Sequence, residues 1–166
     1  MITENLPSSK QIYQKINNSL LQNNFFIWLV FAILSAIGII HHEMWRDEVN
    51  TWLIVRDNNS LRDIVAAVNY QGHPLIWPML LTAAKSIWND LAVIKIVHWI
   101  IGTLGIGIFL KYSPFKQFQK VLFIFGYLPL YQYMLVSKNY SLGMLSVFGI
   151  SRKIQIRRAF LRNSFY

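Results

Sequence analysis

An uncharged segment at residues 25–40 places the strongest constraint on the fold of this chain. Its flanks also carry no charge, back to Lys15 and forward to Glu43. A helix needs about 20 apolar residues to cross a hydrocarbon core, so this segment is long enough to span a membrane. Only 14% of the residues are charged and none is cysteine, whereas soluble domains carry about 25% charged residues. The sequence therefore predicts an all-α integral membrane protein without disulfides or thiolate metal sites.

Three spans are predicted from the uncharged or nearly uncharged runs, at residues 24–41, 91–111 and 120–137. Lysines precede the first span and acidic residues follow it, so the positive-inside rule places the N-terminus in the cytoplasm. Residues 1–24 are polar, and the helical spacing of their few apolar residues predicts a short amphipathic helix.

The apolar segment Leu75–Trp88 allows two arrangements, because it is short for a span and contains Pro78 and Lys85. If it crosses the membrane, the lysine-containing loop 111–120 is external. If it lies in the interface, that loop is cytoplasmic, and the positive-inside rule favours this second arrangement. We therefore expect a polytopic protein with three to four transmembrane helices and two or three membrane-parallel helices within 44–89.

The loop after the first span contains most of the acidic residues: Glu43, Asp47, Glu48, Asp57 and Asp63. Trp45, Val49 and Trp52 share one helical face, which predicts a helix parallel to the membrane with tryptophans at headgroup depth. Adjacent residues on a helix point about 100° apart. Asp47 could therefore face a substrate as a general base while Glu48 supports the loop. A solvated polar helix face is the plainer interpretation.

His73 is the second candidate for chemistry. With Asp47 or Glu48 it could complete a site for a divalent metal ion, although an ordinary loop histidine fits the same pattern. Lys138 and Tyr140 follow the third predicted span and should emerge on the same side as Asp47. They could bind a lipid phosphate or only hold the chain at the interface.

The remaining histidines have less specific interpretations. His41 and His42 stand at the end of the first span and are interpreted as interfacial anchors. His98 falls within the second predicted span, at helical spacing from Lys95. Ionisable residues inside a membrane are costly, so His98 is predicted to make a polar contact or to have a function there.

The order of three short motifs resembles the N-terminal part of GT-C-class glycosyltransferases, and most closely the protein O-mannosyltransferase and aminoarabinose-transferase superfamily. The motifs are Trp45-Arg46-Asp47-Glu48, Gly72-His73-Pro74-Leu75 and Ser137-Lys138-Asn139-Tyr140. The resemblance covers roughly residues 20–150. It departs from the family at Leu75, where those enzymes have a second proline, and at Lys138, where they have arginine. Lysine keeps the charge but loses bidentate phosphate binding.

The resemblance implies transfer of a sugar from a polyprenyl-phosphate donor to an acceptor on the non-cytoplasmic face of a bacterial inner membrane. By that analogy Asp47 is the general base and Glu48 holds the loop. Arg46, Lys138 and Tyr140 bind the donor and stabilise the charge that develops on its phosphate. A divalent metal ion held by His73 is the one cofactor that the resemblance suggests.

The alternative function is that of a non-enzymatic small membrane protein or a transporter fragment. Transporters place ionisable residues at mid-membrane depth, whereas most acids here lie in a loop. The net charge of +9 flanks apolar runs, which favours membrane lipid over nucleic acid as a partner.

Two regions are predicted from the change in composition along the chain. Residues 1–150 form the N-terminal part of a GT-C-like membrane domain, with an external loop at 42–90. Residues 151–166 form a basic tail whose abrupt onset is typical of a truncation or frameshift within a longer gene. Because GT-C enzymes build their lipid-carrier groove from later spans, we expect the donor site to be only half built.

Overall fold

The computed structural model describes residues 23–58, 60–69 and 74–164. Every regular element in these ranges is helical, which confirms the predicted all-α class. The elements are α1 Asn24–His41, α2 Arg46–Asp57, α3 Leu61–Asn69, α4 Ile76–Lys85, α5 Ala92–Tyr112, α6 Gln117–Ile124, a π-helix Tyr127–Gln132, and α7 Tyr140–Ser164. The amphipathic helix predicted within 1–24 lies almost wholly outside the described residues.

Among the described residues, helices α1 and α5 are the two that are long and apolar enough to cross a membrane. Their bounds agree within one residue with the first two predicted spans. The two helices are antiparallel and are joined by tryptophan side chains. The indole of Trp28 donates a hydrogen bond to the carbonyl oxygen of Thr103 at 2.9 Å, and that of Trp99 donates to Ala32 at 3.2 Å.

The bundle has two ends with different charge. At the acidic end α1 finishes and α5 begins, and Lys95 Nζ donates to the carbonyl oxygen of His42 at 2.8 Å. At the basic end α1 begins and α5 finishes, and Gln117 Nε2 donates to Asn24 Oδ1 at 3.0 Å. All acidic residues that the structure describes lie within 43–90, in the segment that joins α1 to α5 at the acidic end.

The third predicted span, 120–137, is not a single helix. Helix α6 ends at Ile124, and Gly126 adopts extended backbone with φ −71° and ψ 166°. Pro129 then lies in the π-helix. Proline lacks the N–H group that a continuous helix requires, and glycine leaves the helical conformation easily, so this sequence breaks the helix.

Residues 117–139, called the return segment, nevertheless run back along α5 from the basic end to the acidic end. Near its start, Lys120 Nζ donates to the carbonyl oxygen of Leu110 at 2.8 Å. Near its end, the carbonyl oxygen of Lys138 lies 2.9 Å from His98 Nδ1. The predicted direction of this segment is therefore present, although its helix is broken.

Helix α7 then runs parallel to α5 towards the basic end. A Cβ atom at Gly105 would lie 3.4 Å from the Cα of Leu145, so the two backbones approach closely where α5 has a glycine. Small residues allow this kind of contact between membrane helices. The helix continues without a break through residue 151, where the composition becomes basic.

Helices α2 and α4 fold over the start of α5, and α3 packs against α2. A buried cluster holds α2 and α4 there, formed by Trp52, Val55, Trp77, Leu81, Val93 and Ile94. Helix α4 has ten residues and is therefore about 15 Å long, half the thickness of a hydrocarbon core. Within the segment Leu75–Trp88 the helix is thus shorter than a span, and the choice between its two predicted arrangements stays a prediction.

Candidate functional site

The first turn of α2 directs Asp47 and Glu48 to different surroundings, as their helical spacing predicts. Glu48 is fully buried, whereas the Asp47 side chain is 66% exposed. The buried face of α2 differs from the predicted one, because it carries Glu48, Trp52 and Val55. Trp52 therefore packs in the core rather than at headgroup depth, and Trp45 precedes the helix.

Glu48 can be buried because polar groups from three chain segments surround its carboxylate. Oε2 accepts a hydrogen bond from the backbone N–H of Trp45 at 2.8 Å and lies 3.2 Å from His42 Nε2. Oε1 accepts a hydrogen bond from the backbone N–H of Ser137. A buried carboxylate is tolerated when its oxygens are satisfied in this way. Glu48 thereby fixes the end of α1, the start of α2 and the end of the return segment relative to one another.

Asp47 and Lys138 form an ion pair on the exposed side of this contact. Lys138 Nζ lies 2.8 Å from Asp47 Oδ2 and 6.0 Å from the centre of the Tyr140 ring. The structure thus brings together three of the predicted site residues. Arg46 begins α2 with an exposed side chain, in the same turn as Asp47.

His98 supports this site from inside the bundle. It is fully buried, and its Nδ1 lies 2.9 Å from the carbonyl oxygen of Lys138 and 3.0 Å from Ser141 Oγ. Because a carbonyl can only accept, Nδ1 carries the proton and donates. His98 therefore holds the backbone of Lys138 against α5. The sequence did not indicate that Ser137 contacts Glu48 or that Ser141 contacts His98. The one available signal was His98 itself, an ionisable residue within an apolar span.

The predicted metal ligand His73 lies outside the described residues, and its approach to Asp47 stays a prediction. Within the part of the chain that the structure describes, no group of three histidine or carboxylate side chains could hold a metal ion. Both oxygens of Glu48 already face donors. Of the acidic pair, Asp47 therefore has the side chain that is better placed to reach a cation or a substrate.

Two recesses meet beside the ion pair. The loop cleft lies among α2, α3, α4 and the end of the return segment, and is lined by Thr51, Ile54, Val68, Trp77, Pro78, Lys138 and Asn139. The lateral groove runs between the return segment and α7, and is lined by Phe123, Leu128, Tyr133, Asn139, Tyr140, Gly143, Met144, Val147 and Phe148. Asn139 borders both, so a small cleft and a larger, mainly apolar groove converge next to Lys138.

Comparison with known proteins finds no matching protein-family model, no matching curated protein and no matching solved structure. The likeness to GT-C enzymes therefore depends on the order of the three short motifs. Two of these motifs, around Asp47 and Lys138, are in contact in the structure.

Proposed function

We propose that this chain is a membrane glycosyltransferase of the GT-C type, with its site at the acidic end of the bundle. It transfers a sugar from a polyprenyl-phosphate donor to an acceptor on the non-cytoplasmic side. The observation that carries this proposal is the contact between Asp47 and Lys138. A carboxylate able to accept a proton and a cation able to hold a phosphate meet where two recesses converge.

The surface of α1 supports placement in a membrane. Its mean hydropathy is 2.1, yet only 28% of its most apolar window is buried. Ile33, Leu34 and Ile37 are about half exposed and follow one another along the helix. Large contiguous apolar surfaces on a protein indicate an interaction with lipid or with another chain, whereas the core helix of a soluble domain is mostly covered.

The distribution of charge sets the proposed orientation. Lys111, Lys116 and Arg152 lie at the basic end, while the described acids lie in the segment at the opposite end. The positive-inside rule places the basic end, and with it the N-terminus, in the cytoplasm. The return segment then completes a third passage as a broken helix, and α7 runs back along the second half of α5 to the basic end.

Cysteine labelling tests this orientation on a clean background, because the natural chain contains no cysteine. Asp63→Cys should react with a membrane-impermeant maleimide in intact cells. Lys116→Cys should react only after the membrane is permeabilised. Labelling of Lys116→Cys from outside would reverse the proposed topology.

The proposed reaction uses the two recesses for the two substrates. The polyprenyl chain lies in the lateral groove with its phosphate at Lys138, and Tyr140 and Arg46 flank it. The acceptor approaches beside the loop cleft, and Asp47, which contacts Lys138 at its edge, takes the proton of the acceptor hydroxyl group. The acceptor oxygen bonds to the anomeric carbon as the bond from that carbon to the phosphate oxygen breaks. Polyprenyl phosphate leaves, its new charge is stabilised by Lys138, and the anomeric configuration is inverted.

The ion pair also explains how the site can wait for its donor. Without a phosphate, Asp47 and Lys138 neutralise each other at 2.8 Å. A donor phosphate competes with Asp47 for Lys138, so the binding of the donor removes this cation from the carboxylate that acts as the base.

The activity test uses the full chain in liposomes with polyprenyl-phosphate sugars and a set of hydroxyl acceptors. The sequence suggested a half-built donor site, but the lateral groove offers a place for the lipid chain. We therefore expect turnover by the natural chain and its loss in Asp47→Asn and in Lys138→Gln. Glu43→Gln is the matched control, because Glu43 is an exposed carboxylate of the same loop, and it should retain turnover. Turnover that persists in Asp47→Asn would contradict the proposed role of this residue.

A non-enzymatic membrane protein is the second candidate, since Asp47 and Lys138 already satisfy each other as a purely structural tie would. The exchange Asp47→Lys with Lys138→Asp separates the two functions. It preserves an ion pair, so a structural role predicts recovered stability and no turnover in any variant. A catalytic role predicts recovered stability together with loss of the turnover that the natural chain shows.

A further inference from the structure

Two cations share one aromatic ring at the basic end, far from the proposed site. Arg152 Cζ lies 4.3 Å from the centre of the Tyr112 ring, and Lys111 Nζ lies 5.3 Å from it. The ion pairs found among the described residues all belong to the 42–57 region and Lys138. Like charges on one ring repel each other, so an anion that binds near both would be favoured.

Capping of α5 does not account for these two cations. Basic residues often stabilise the C-terminal carbonyls of a helix. In α5 that role is taken by other groups, because Lys120 Nζ donates to Leu110 and the backbone N–H of Ser113 donates to Phe109 at 2.9 Å. Lys111 and Arg152 are therefore available to a ligand.

A basic cleft lies directly beside them, lined by Trp28, Leu104, Gly107, Lys111, Tyr112 and Arg152. Its walls are apolar below the two cations, and Leu104 is 55% exposed. Its depth depends on a glycine, since a Cβ atom at Gly107 would lie 3.3 Å from Trp28 Nε1. The cleft is therefore an open, mainly apolar recess with positive charge at one side, which a hydrocarbon chain can line.

A second recess shares Tyr112 and Arg152 with the basic cleft. It is shared between α5 and α7 and includes Phe109, Phe148 and Ser113. The hydroxyl oxygen of Ser113 is buried and has no hydrogen-bond partner among the described residues. Its O–H group can donate a hydrogen bond to a phosphate oxygen beside Arg152.

We propose that the basic end binds an anionic diacyl phospholipid from the cytoplasmic leaflet. The phosphate lies between Lys111 and Arg152 and accepts a hydrogen bond from Ser113, and an acyl chain occupies the basic cleft. Net negative charge on the lipid is required because two cations must be neutralised. The proposal rests on the membrane placement proposed above and is independent of sugar transfer.

The test is native mass spectrometry of the full chain, purified in detergent and titrated with phosphatidylglycerol or with phosphatidylcholine of the same acyl chains. We expect the natural chain to prefer phosphatidylglycerol about tenfold, since each basic residue near a bilayer attracts anionic lipid appreciably. The double variant Lys111→Gln, Arg152→Gln should lose that preference. The matched control is Lys153→Gln, Arg157→Gln, two exposed cations of the same helix, and it should keep it.

Leu104→Trp tests the basic cleft without a change of charge, because the larger side chain fills the cleft at an exposed position. It should weaken phosphatidylglycerol binding severalfold. Three results would each overturn the proposal. The first is an equal loss of the phosphatidylglycerol preference in the two double glutamine variants, and the second is unchanged binding by Leu104→Trp. The third is a preference for polyprenyl phosphate over phosphatidylglycerol. Asp47→Asn should bind phosphatidylglycerol like the natural chain, so a failure of the proposed chemistry remains distinct from a failure of this site.

Discussion

The buried carboxylate of Glu48 accepts a hydrogen bond from the backbone N–H of Ser137, which lies 89 residues further along the chain. The next residue on one side, Asp47, and the next on the other, Lys138, form the exposed ion pair. The contact therefore has two parts. The inner bond is the buried hydrogen bond between Glu48 and Ser137, and the outer pair is the exposed ion pair of Asp47 and Lys138. Lys138 is aligned with Asp47 by Glu48 and His98, so the outer pair can open without loss of the arrangement.

Replacement of Glu48 should destabilise the protein strongly. Glu48→Ala leaves two backbone N–H donors and His42 without their acceptor in a buried place, and should lower the free energy of unfolding by about 3 kcal/mol. Glu48→Gln should cost about half as much, because its amide NH₂ must face a donor. Unfolding in detergent micelles measures both. Glu43→Gln is the control and should change the free energy of unfolding by less than about 0.5 kcal/mol. If Glu48→Ala were as stable as Glu43→Gln, the inner bond would not be important for stability.

Replacement of Asp47 should have the opposite profile. Its side chain is 66% exposed, and exposed ion pairs contribute about 0–1 kcal/mol. Asp47→Asn should therefore unfold within about 1 kcal/mol of the natural chain while it abolishes the proposed sugar transfer. A double-mutant cycle with Lys138→Met measures the pair directly. A coupling energy as large as the loss in Glu48→Ala would identify the pair as a structural element.

Helices α1 and α5 could be predicted almost to the residue, because each lies in a long apolar run with few charges, as a hydrocarbon span demands. The existence of short helices between them followed from local apolar spacing. The sequence could place Asp47 and Lys138 only on the same side of the membrane, and not in contact. The motif order brought the two residues into consideration, but the sequence contained no measure of their distance.

The inward direction of Glu48 could not be predicted, because apolar periodicity assigns a carboxylate to the polar face of a helix. Glu48 faces inward because the backbone N–H of Ser137 donates a hydrogen bond to its carboxylate. The break in the third predicted span was missed for a related reason. Its lack of charge indicated a span, whereas Gly126 and Pro129, which end the helix, change hydropathy very little.

Lys85 should be required for the end of α2. Its Nζ donates to the carbonyl oxygens of Val55 and Arg56 at 2.9 and 2.7 Å, and these groups have no partner within the helix. Lys85→Met should lower the free energy of unfolding by about 1–2 kcal/mol and speed hydrogen exchange in the last turn of α2. Lys153→Met is the control and should leave that exchange unchanged. Uniform exchange rates in the two variants would show that α2 does not depend on this cap.

Two glycines should respond to alanine with opposite signs. A Cβ atom at Gly102 in α5 would overlap the Sδ atom of Met134, which is fully buried at the end of the return segment. Gly102→Ala should therefore cost about 1–3 kcal/mol, the usual effect of overpacking. At Gly149 in α7 a Cβ atom would meet nothing within 4 Å, so alanine should stabilise the helix by about 0.5–1 kcal/mol.

The comparison is made by denaturant unfolding of the two variants in the same detergent. Shortening the clashing side chain supplies the internal control, so Gly102→Ala combined with Met134→Val should recover part of the loss. If Gly102→Ala and Gly149→Ala shift stability in the same direction, the return segment does not pack on α5 at Gly102. The position of Lys138 beside Asp47 would then need another support, because the same stretch of chain carries Met134 and Lys138 to the acidic end.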